Sequence, residues 1–243
     1  PIFGNNAGIQ VYEPESKIEK DSSGERILDI PTDNTLISWW KFDGDAQDSV
    51  GGNHGTAYGG VDLNYNDAIR EKVASFDGDG DYVNVGNDGS LNPLNVTLSA
   101  WIYRNDYGGN LPQYIISDIS DNPPRNGSWL RIDDGEPDKI DFLIASSTEF
   151  SRIKSTSAVS ANTWYQVVGT YEGNNLRLYI NGQLDNTAAS SIGIGSPAAY
   201  NTYIGRLANA DIYYFNGAID EVMIFNRSLS ADEVKAIYNN QKK

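Results

Sequence analysis

Phe215-Asn-Gly-Ala-Ile-Asp-Glu-Val-Met-Ile-Phe-Asn226 is the stretch on which the reading of this chain turns. From Ile219 the residues alternate, with Ile219, Glu221, Met223 and Phe225 on one face and Asp220, Val222, Ile224 and Asn226 on the other. Period two sustained over the segment predicts a β-strand, and apolar residues on both faces predict cover on both sides. Asn216-Gly217, just ahead of it, reads as a tight turn because glycine carries no steric cost at positive φ. Asp220 and Glu221 are the exceptions. Carboxylates in a covered strand need a partner, a metal or a solvated end, and simple alternation sends these two to opposite faces.

Working outward, the chain of 243 residues is long enough to bury a sizeable core, as one large β-domain or two smaller ones. Fifteen tyrosines and five tryptophans, with abundant Asn, Ser, Thr and Gly, favour strands joined by polar turns. The net charge of −15 argues against nucleic acid or an anionic membrane as partner and suits solubility, a cation or a neutral ligand. The lack of cysteine excludes disulfides, zinc–thiolate sites and thiol chemistry. No apolar run approaches the ~20 residues of a membrane-spanning helix. Beginning at Pro1 without a visible signal peptide, the chain reads as an excised or processed piece of a larger multidomain protein.

Residues 1–35 are acidic and interrupted by Pro14, Pro31 and Asp21-Ser-Ser-Gly24, which predicts a linker or arm. Short apolar patches such as Ile27, Leu28 and Ile30 could lie against a domain as edge pieces. The domain proper is expected over 36–243. Strands are predicted at Leu36–Phe42, Ala74–Phe76, Asp81–Val85, Leu94–Tyr103, Tyr114–Ser117, Trp129–Ile132, Ile140–Ala145, Trp164–Tyr171, Leu176–Ile180 and Tyr203–Gly205. Asn181-Gly182 signals a two-residue hairpin. About twelve strands without helices for crossovers leave a two-sheet sandwich or a barrel. One helix is expected: Ser230-Ala-Asp-Glu233 is a capping box followed by Val234, Ile237 and Tyr238 as an apolar stripe.

The order of segments resembles a known family. Trp40-x-Phe42, Asp48-Ser49, Gly52-Asn-His-Gly-Thr56, Phe76-Asp-Gly78, Asp81-Tyr-Val-x-Val85, Thr97-Leu-Ser-Ala-Trp-Ile102, Trp164-Tyr-x-Val-Val-x-Thr-Tyr171, Leu178-Tyr-Ile-Asn-Gly182, Tyr203-Ile-Gly205 and Phe215-x-Gly-x-Ile-Asp-Glu-Val222 with Leu229-Ser-x-x-Glu233-Val234 are similar to laminin-G-like, concanavalin-A-like jelly-roll domains. The likeness covers residues 36–240. It implies an all-β sandwich of two curved antiparallel sheets with one short C-terminal helix, found in secreted or cell-surface proteins of bacteria and archaea, frequently with calcium and often binding glycans. The fold also hosts glycosidases, toxins and spacer domains, so the site must be argued separately.

Calcium needs six to eight oxygen ligands. The Gly-rich loop 43–56 offers Asp43, Asp48 and Asn53, and the resemblance implies that the last strand brings Asp220 beside it, with backbone carbonyls near His54. A solvated acidic loop is the plainer alternative. Asp77, Asp79 and Asp81 read as a turn between strands, and Asp133 to Asp138 as a solvated hairpin loop. Glycosidases of this fold set paired carboxylates along one strand as Glu-x-Asp-x-x-Glu; the adjacent Asp220 and Glu221 do not match, and His54, the single histidine, reads as structural. A non-catalytic module is therefore expected, binding a glycan or cell-surface ligand. Stacking rings are sought in Tyr107, Tyr213 and Tyr214 and polar partners in Arg104, Asp106 and Asn209. Trp40, Trp101 and Trp164 are assigned to the core. The alternatives are a structural spacer or protein-interaction domain of a larger surface protein, and a divergent glycan-cleaving enzyme.

Overall fold

The computed structural model describes residues 19–20, 26–27, 29–106, 111–119, 123, 125–133, 135–136, 138–195, 200–208 and 210–243. Its strands are β1 (Glu19–Lys20), β2 (Arg26–Ile27), β3 (Leu36–Trp40), β4 (Thr56–Tyr58), β5 (Asp62–Asp67), β6 (Glu71–Asp77) and β7 (Tyr82–Gly86). They continue with β8 (Val96–Arg104), β9 (Gln113–Ser117), β10 (Gly127–Ile132), β11 (Ile140–Ser146), β12 (Glu149–Lys154), β13 (Trp164–Glu172), β14 (Asn175–Ile180), β15 (Gln183–Ala189), β16 (Thr202–Ile204) and β17 (Asn216–Phe225). Among the described residues one α-helix, α1 (Ala231–Gln241), follows them.

Two sheets form the sandwich. One runs β12-β11-β10-β9-β16-β7-β4; the other runs β15-β14-β13-β8-β17-β6-β5, with β3 also pairing β17. Alternation along each strand sends one set of side chains between the sheets: Trp40, Phe76, Leu98, Ile102, Leu130, Phe142, Ile144, Val167, Ile219 and Ile224 belong to this core. The outer face of the β17 sheet is covered by α1, whose Val234 and Ile237 pack on Met223, Phe225 and Tyr179. All three tryptophans are buried as expected, Trp40 between the sheets and Trp101 and Trp164 in a second core cluster with Val73, Ala218 and Tyr238 on the helix side of the β17 sheet.

The opening stretch departs from simple alternation. Glu221 adopts φ 53°, and the pairing of β17 with β8 shifts between Asp220 and Met223. This β-bulge divides the strand: Asn216–Ile219 pair with β6, and Val222–Phe225 pair with β3. The bulge also switches phase, so Ile219, Val222 and Ile224 all point between the sheets while Met223 and Phe225 meet the helix. Asn216-Gly217 is part of β17, not a turn. Gly217 sits at φ 142°, where an added Cβ would collide with the carbonyl oxygen of Tyr103 on β8. The predicted hairpin at Asn181-Gly182 is present, with φ of 50° and 74° joining β14 to β15.

The capping box at Ser230 is formed in both directions: its Oγ accepts from the Glu233 N–H at 3.3 Å, and Glu233 accepts from the Ser230 N–H at 2.8 Å. The acidic N-terminal segment contains the two-stranded β1–β2 pair, which the proline and glycine pattern did not foretell. Residues at its end are tied to the domain. Arg227 donates to the Thr35 hydroxyl at 2.9 Å and pairs with Asp33 at 3.4 Å, and Ile30 packs near the helix cluster.

Candidate functional site

The outer face of the other sheet carries the site. On β10 the core residues Leu130 and Ile132 alternate with Trp129 and Arg131, which therefore face outward. On β11 Asp141, Leu143 and Ala145 do the same, and on β12 Phe150, Arg152 and Lys154. Register sets these into rows: Trp129 opposes Leu143, which opposes Arg152, while Arg131 opposes Asp141, which opposes Lys154. Tyr114 on β9 closes the row beside Arg131.

The segment between β16 and β17 folds back over this surface. It buries Leu207 with Tyr114, Ile119, Trp129 and Leu143, and brings Tyr213 over Tyr114 with ring centroids 6.3 Å apart. Tyr213 holds φ 61°, a left-handed conformation unusual for a tyrosine. The result is a groove of about 230 Å³ lined by Pro112, Arg125, Trp129, Arg131, Leu143, Phe150, Arg152 and Tyr213. Trp129 stands edge-on to Tyr114 at 5.4 Å. Arg131 lies 5.0 Å from the Trp129 ring and 5.3 Å from that of Tyr114, and Arg125 lies 5.5 Å from Phe150.

Beneath the groove two carboxylates organise the cations. Arg131 Nε donates to Asp141 Oδ2 at 3.0 Å and its Nη1 to the Tyr114 hydroxyl at 3.1 Å, while Lys154 reaches Asp133 at 2.6 Å. Both Asp side chains are fully buried. Burial works against ionisation of Asp133, yet its hydrogen bond to Lys154 and the nearby charges of Arg131 and Arg152 hold its carboxyl below the usual range. At Asp141 burial prevails and pushes the carboxyl up against the pull of Arg131 and Arg152. Of the acidic loop expected to be solvated, Glu136 and Asp138 are exposed, whereas Asp133 is buried in this charge network.

Of the residues expected to hold a glycan, Tyr213 lines the groove. Arg104 is buried and pairs with Asp138, Asp106 is exposed without entering the groove, and Tyr214 bonds Asp211 beside Arg206. Burial together with Asp211 pushes the Tyr214 phenol up to about 12. Tyr107 and Asn209 lie outside the described residues. Trp129, Arg131, Phe150 and Arg152 were missed as a set. The period-two alternation could have shown them: Trp129 and Arg131 alternate with Leu130 and Ile132 on β10, and Phe150, Arg152 and Lys154 are every second residue of β12.

The expected calcium ligands are distributed differently from a single cage. Asp48 Oδ1 accepts the N–H groups of Trp39 at 2.9 Å and Val50 at 3.0 Å, and its Oδ2 accepts that of Asn53 at 3.2 Å. Asn53 donates to the Ser38 hydroxyl at 2.9 Å, and His54 Nδ1 accepts from the Asp48 N–H, a structural role. Asp220 accepts from Arg70 Nε at 2.7 Å, and Arg70 stacks on Trp101 at 4.1 Å. Asp220 Oδ1 is buried without a hydrogen bond. Burial raises its carboxyl to about 7, opposed by Arg70 and reinforced by the charges of Glu221 and Asp43. Because of the bulge, Glu221 is within reach of Arg70 as well, and accepts from Trp39 Nε1 and Gln241 Nε2. Among the described residues no three acidic or histidine side chains converge at metal-ligand spacing.

No curated protein sequence matches the chain. Solved structures do. Domain 4 of AbnA, a GH43 extracellular arabinanase from Geobacillus stearothermophilus in complex with arabinotriose, superposes with TM-score 0.65 at 17% identity, over 84% of this chain and 98% of that one. The binding domain of Paraclostridial Mosquitocidal Protein 1 gives 0.67 at 16% identity, over 86% of this chain and 53% of that one. The binding domain of Botulinum Neurotoxin DC in complex with SialylT gives 0.66 at 17%, over 87% and 52%. This chain spans about half the length of the two toxin domains. At such identities the likeness is one of fold. The model of the concanavalin A-like lectin/glucanases superfamily matches residues 77–235, well over half of the sequence. The chain belongs to the concanavalin A-like lectin/glucanase superfamily.

Proposed function

We propose that this domain is a non-catalytic glycan-binding module acting outside the cell, with the groove over β9–β12 as its binding site. One observation carries the reading: an outward-facing cavity walled by Trp129, Phe150 and Tyr213 and floored by hydrogen-bond donors held in place from below. Aromatic faces stack on the C–H faces of sugar rings, and fixed guanidiniums bond hydroxyl oxygens. The described residues that line the cavity include no carboxylate, serine or histidine, and the pair of acids that glycoside hydrolysis requires is not among them. The similar solved structures, two toxin binding domains and a domain of an extracellular arabinanase seen with arabinotriose, support a binding role in a larger exported protein. The test is calorimetric titration and glycan-array binding of the native domain and Tyr213→Ala. Loss of about tenfold or more in affinity, with the melting temperature kept, is expected. Failure of the native domain to bind any glycan of a broad array would return it to the spacer reading.

We also propose that calcium competes with Arg70 at the end of β17. The orphaned Asp220 Oδ1 and the repulsion of Asp43 and Glu221 support it. Asp43, Asp220 and Glu221 do not stand at metal-ligand spacing, so they would have to close on the ion to hold it, and its charge would then neutralise this crowding.

A further inference from the structure

The sheet face that carries the groove continues past it onto β16, β7 and β4, where it presents a second cluster of rings. Ala57, Val83 and Ile204 pack inward from these strands, so their neighbours Tyr58, Tyr82 and Tyr203 stand outward. Tyr58 opposes Tyr82 in register, and their rings stack at 4.9 Å with an interplanar angle of 13°. Tyr203 meets Tyr82 edge-on at 5.6 Å. The Arg206 guanidinium lies 3.9 Å from the Tyr82 ring and 4.2 Å from that of Tyr203. Tyr203 and Trp129 both oppose Ser117 on β9, which puts this array and the groove on one face of the sheet.

Cross-strand rings stabilise a sheet through their faces, and phenylalanine would serve that purpose. Here, among the described residues, the hydroxyls of Tyr58, Tyr82 and Tyr203 make no hydrogen bond, and Tyr58 is 45% exposed. The polar groups beside them are held in place. Arg206 donates to Asp211 at 3.0 Å, and Asn84, opposite Tyr203, accepts from the Gly86 N–H at 2.9 Å and the Asn201 amide at 3.1 Å. Rings with unused hydroxyls and fixed amides around them answer the C–H faces and hydroxyls of a sugar. The segment between β16 and β17 serves both places: Arg206 braces the array, Tyr213 lines the groove, and Leu207 packs beside Trp129 between them. From β4 to β12 the sheet is seven strands wide, about 29 Å at the usual strand spacing. No single sugar ring spans that width, whereas a chain of several does.

We infer that the Tyr58–Tyr82–Tyr203 array is a second carbohydrate contact, and that the ligand is an extended oligosaccharide lying across the sheet from the array to the groove. The inference rests on the glycan reading of the groove. Tyr58 and the phenol hydroxyls with Asn84 hold one end of the chain, and the groove holds the other. Once one end is bound the second contact is made within the same complex, so affinity rises with chain length until both places are filled.

The experiment titrates the native domain calorimetrically with the trisaccharide and the octasaccharide of arabinan, galactan, xylan and mannan. In at least one ladder the octasaccharide is expected to bind about tenfold or more tightly than the trisaccharide. Tyr58→Ala is expected to erase that length preference at unchanged melting temperature while leaving the trisaccharide affinity as it was. Tyr213→Ala, in the groove, should weaken both lengths. Tyr203→Phe removes only a hydroxyl and should cost the octasaccharide about threefold, which keeps the test open should Tyr58→Ala not fold. Equal affinity for the two lengths, or a preference untouched in both Tyr58→Ala and Tyr203→Phe, would overturn the second contact while leaving the glycan reading standing. Absence of binding in all four ladders overturns the second contact too. The glycan reading itself falls only if the broad array is silent as well.

Discussion

Asp118 shows how one buried side chain sets a pH dependence. Its carboxylate accepts from the Ser128 N–H at 2.6 Å and the Asn92 amide at 2.8 Å, but full burial dominates and lifts its carboxyl from 3.8 to about 7. A group that holds its proton more tightly when folded contributes most stability below its unfolded value and loses it as pH rises through the folded one. The window here therefore runs from about 4 to about 7. Asp220, raised to about 7 by burial, acts in the same sense. Urea-melt midpoints across this range should fall less steeply with rising pH in Asp118→Asn than in the native domain. Parallel profiles would show that Asp118 is ionised with the same affinity in both states.

At the scale of elements, β17 is the hinge of the architecture, and its irregularities are what let it serve three neighbours. Its first half borders β6 and its second half β3, with β8 along the other edge throughout. The bulge at Glu221 makes the transfer possible, and the glycine at 217 lets β8 approach closely. Gly217→Ala should cost about 3 kcal/mol or more, since it combines left-handed strain with a backbone collision. Gly89→Ala, where an added Cβ meets open space, should change stability by less than about 0.5 kcal/mol. Chemical denaturation of the two variants measures the difference, and comparable stability would show that β8 and β17 can separate without loss. The existence of β17 was legible from its period of two. Its bulge was not, because a phase shift depends on which strands lie on either side, and those come from residues more than a hundred positions away in sequence.

At the scale of the molecule, the two outer faces have different fates. One is closed by α1, which seals Arg70, Trp101 and Asp220 beneath it. The other is left with the groove. If calcium enters at Asp43, Asp220 and Glu221, it binds only the folded state, so millimolar calcium should raise the melting temperature by several degrees relative to EDTA. Identical melting curves for metal-loaded and chelated samples would defeat that proposal and leave Arg70 as the permanent counter-ion of Asp220. The sequence by itself determined the class of fold, the capped final helix, the Asn181-Gly182 hairpin and a strand at 219–226, because alternation, capping and turn chemistry are local. Tyr213 was legible as a ring in a polar loop, but its partners were not. Only the tertiary structure turned Asp220 toward Arg70, carried Glu221 through a bulge, and aligned Trp129, Leu143 and Arg152 across three strands into one groove. These depend on register and on which sheet face is left uncovered, and both are decided by packing between distant parts of the chain.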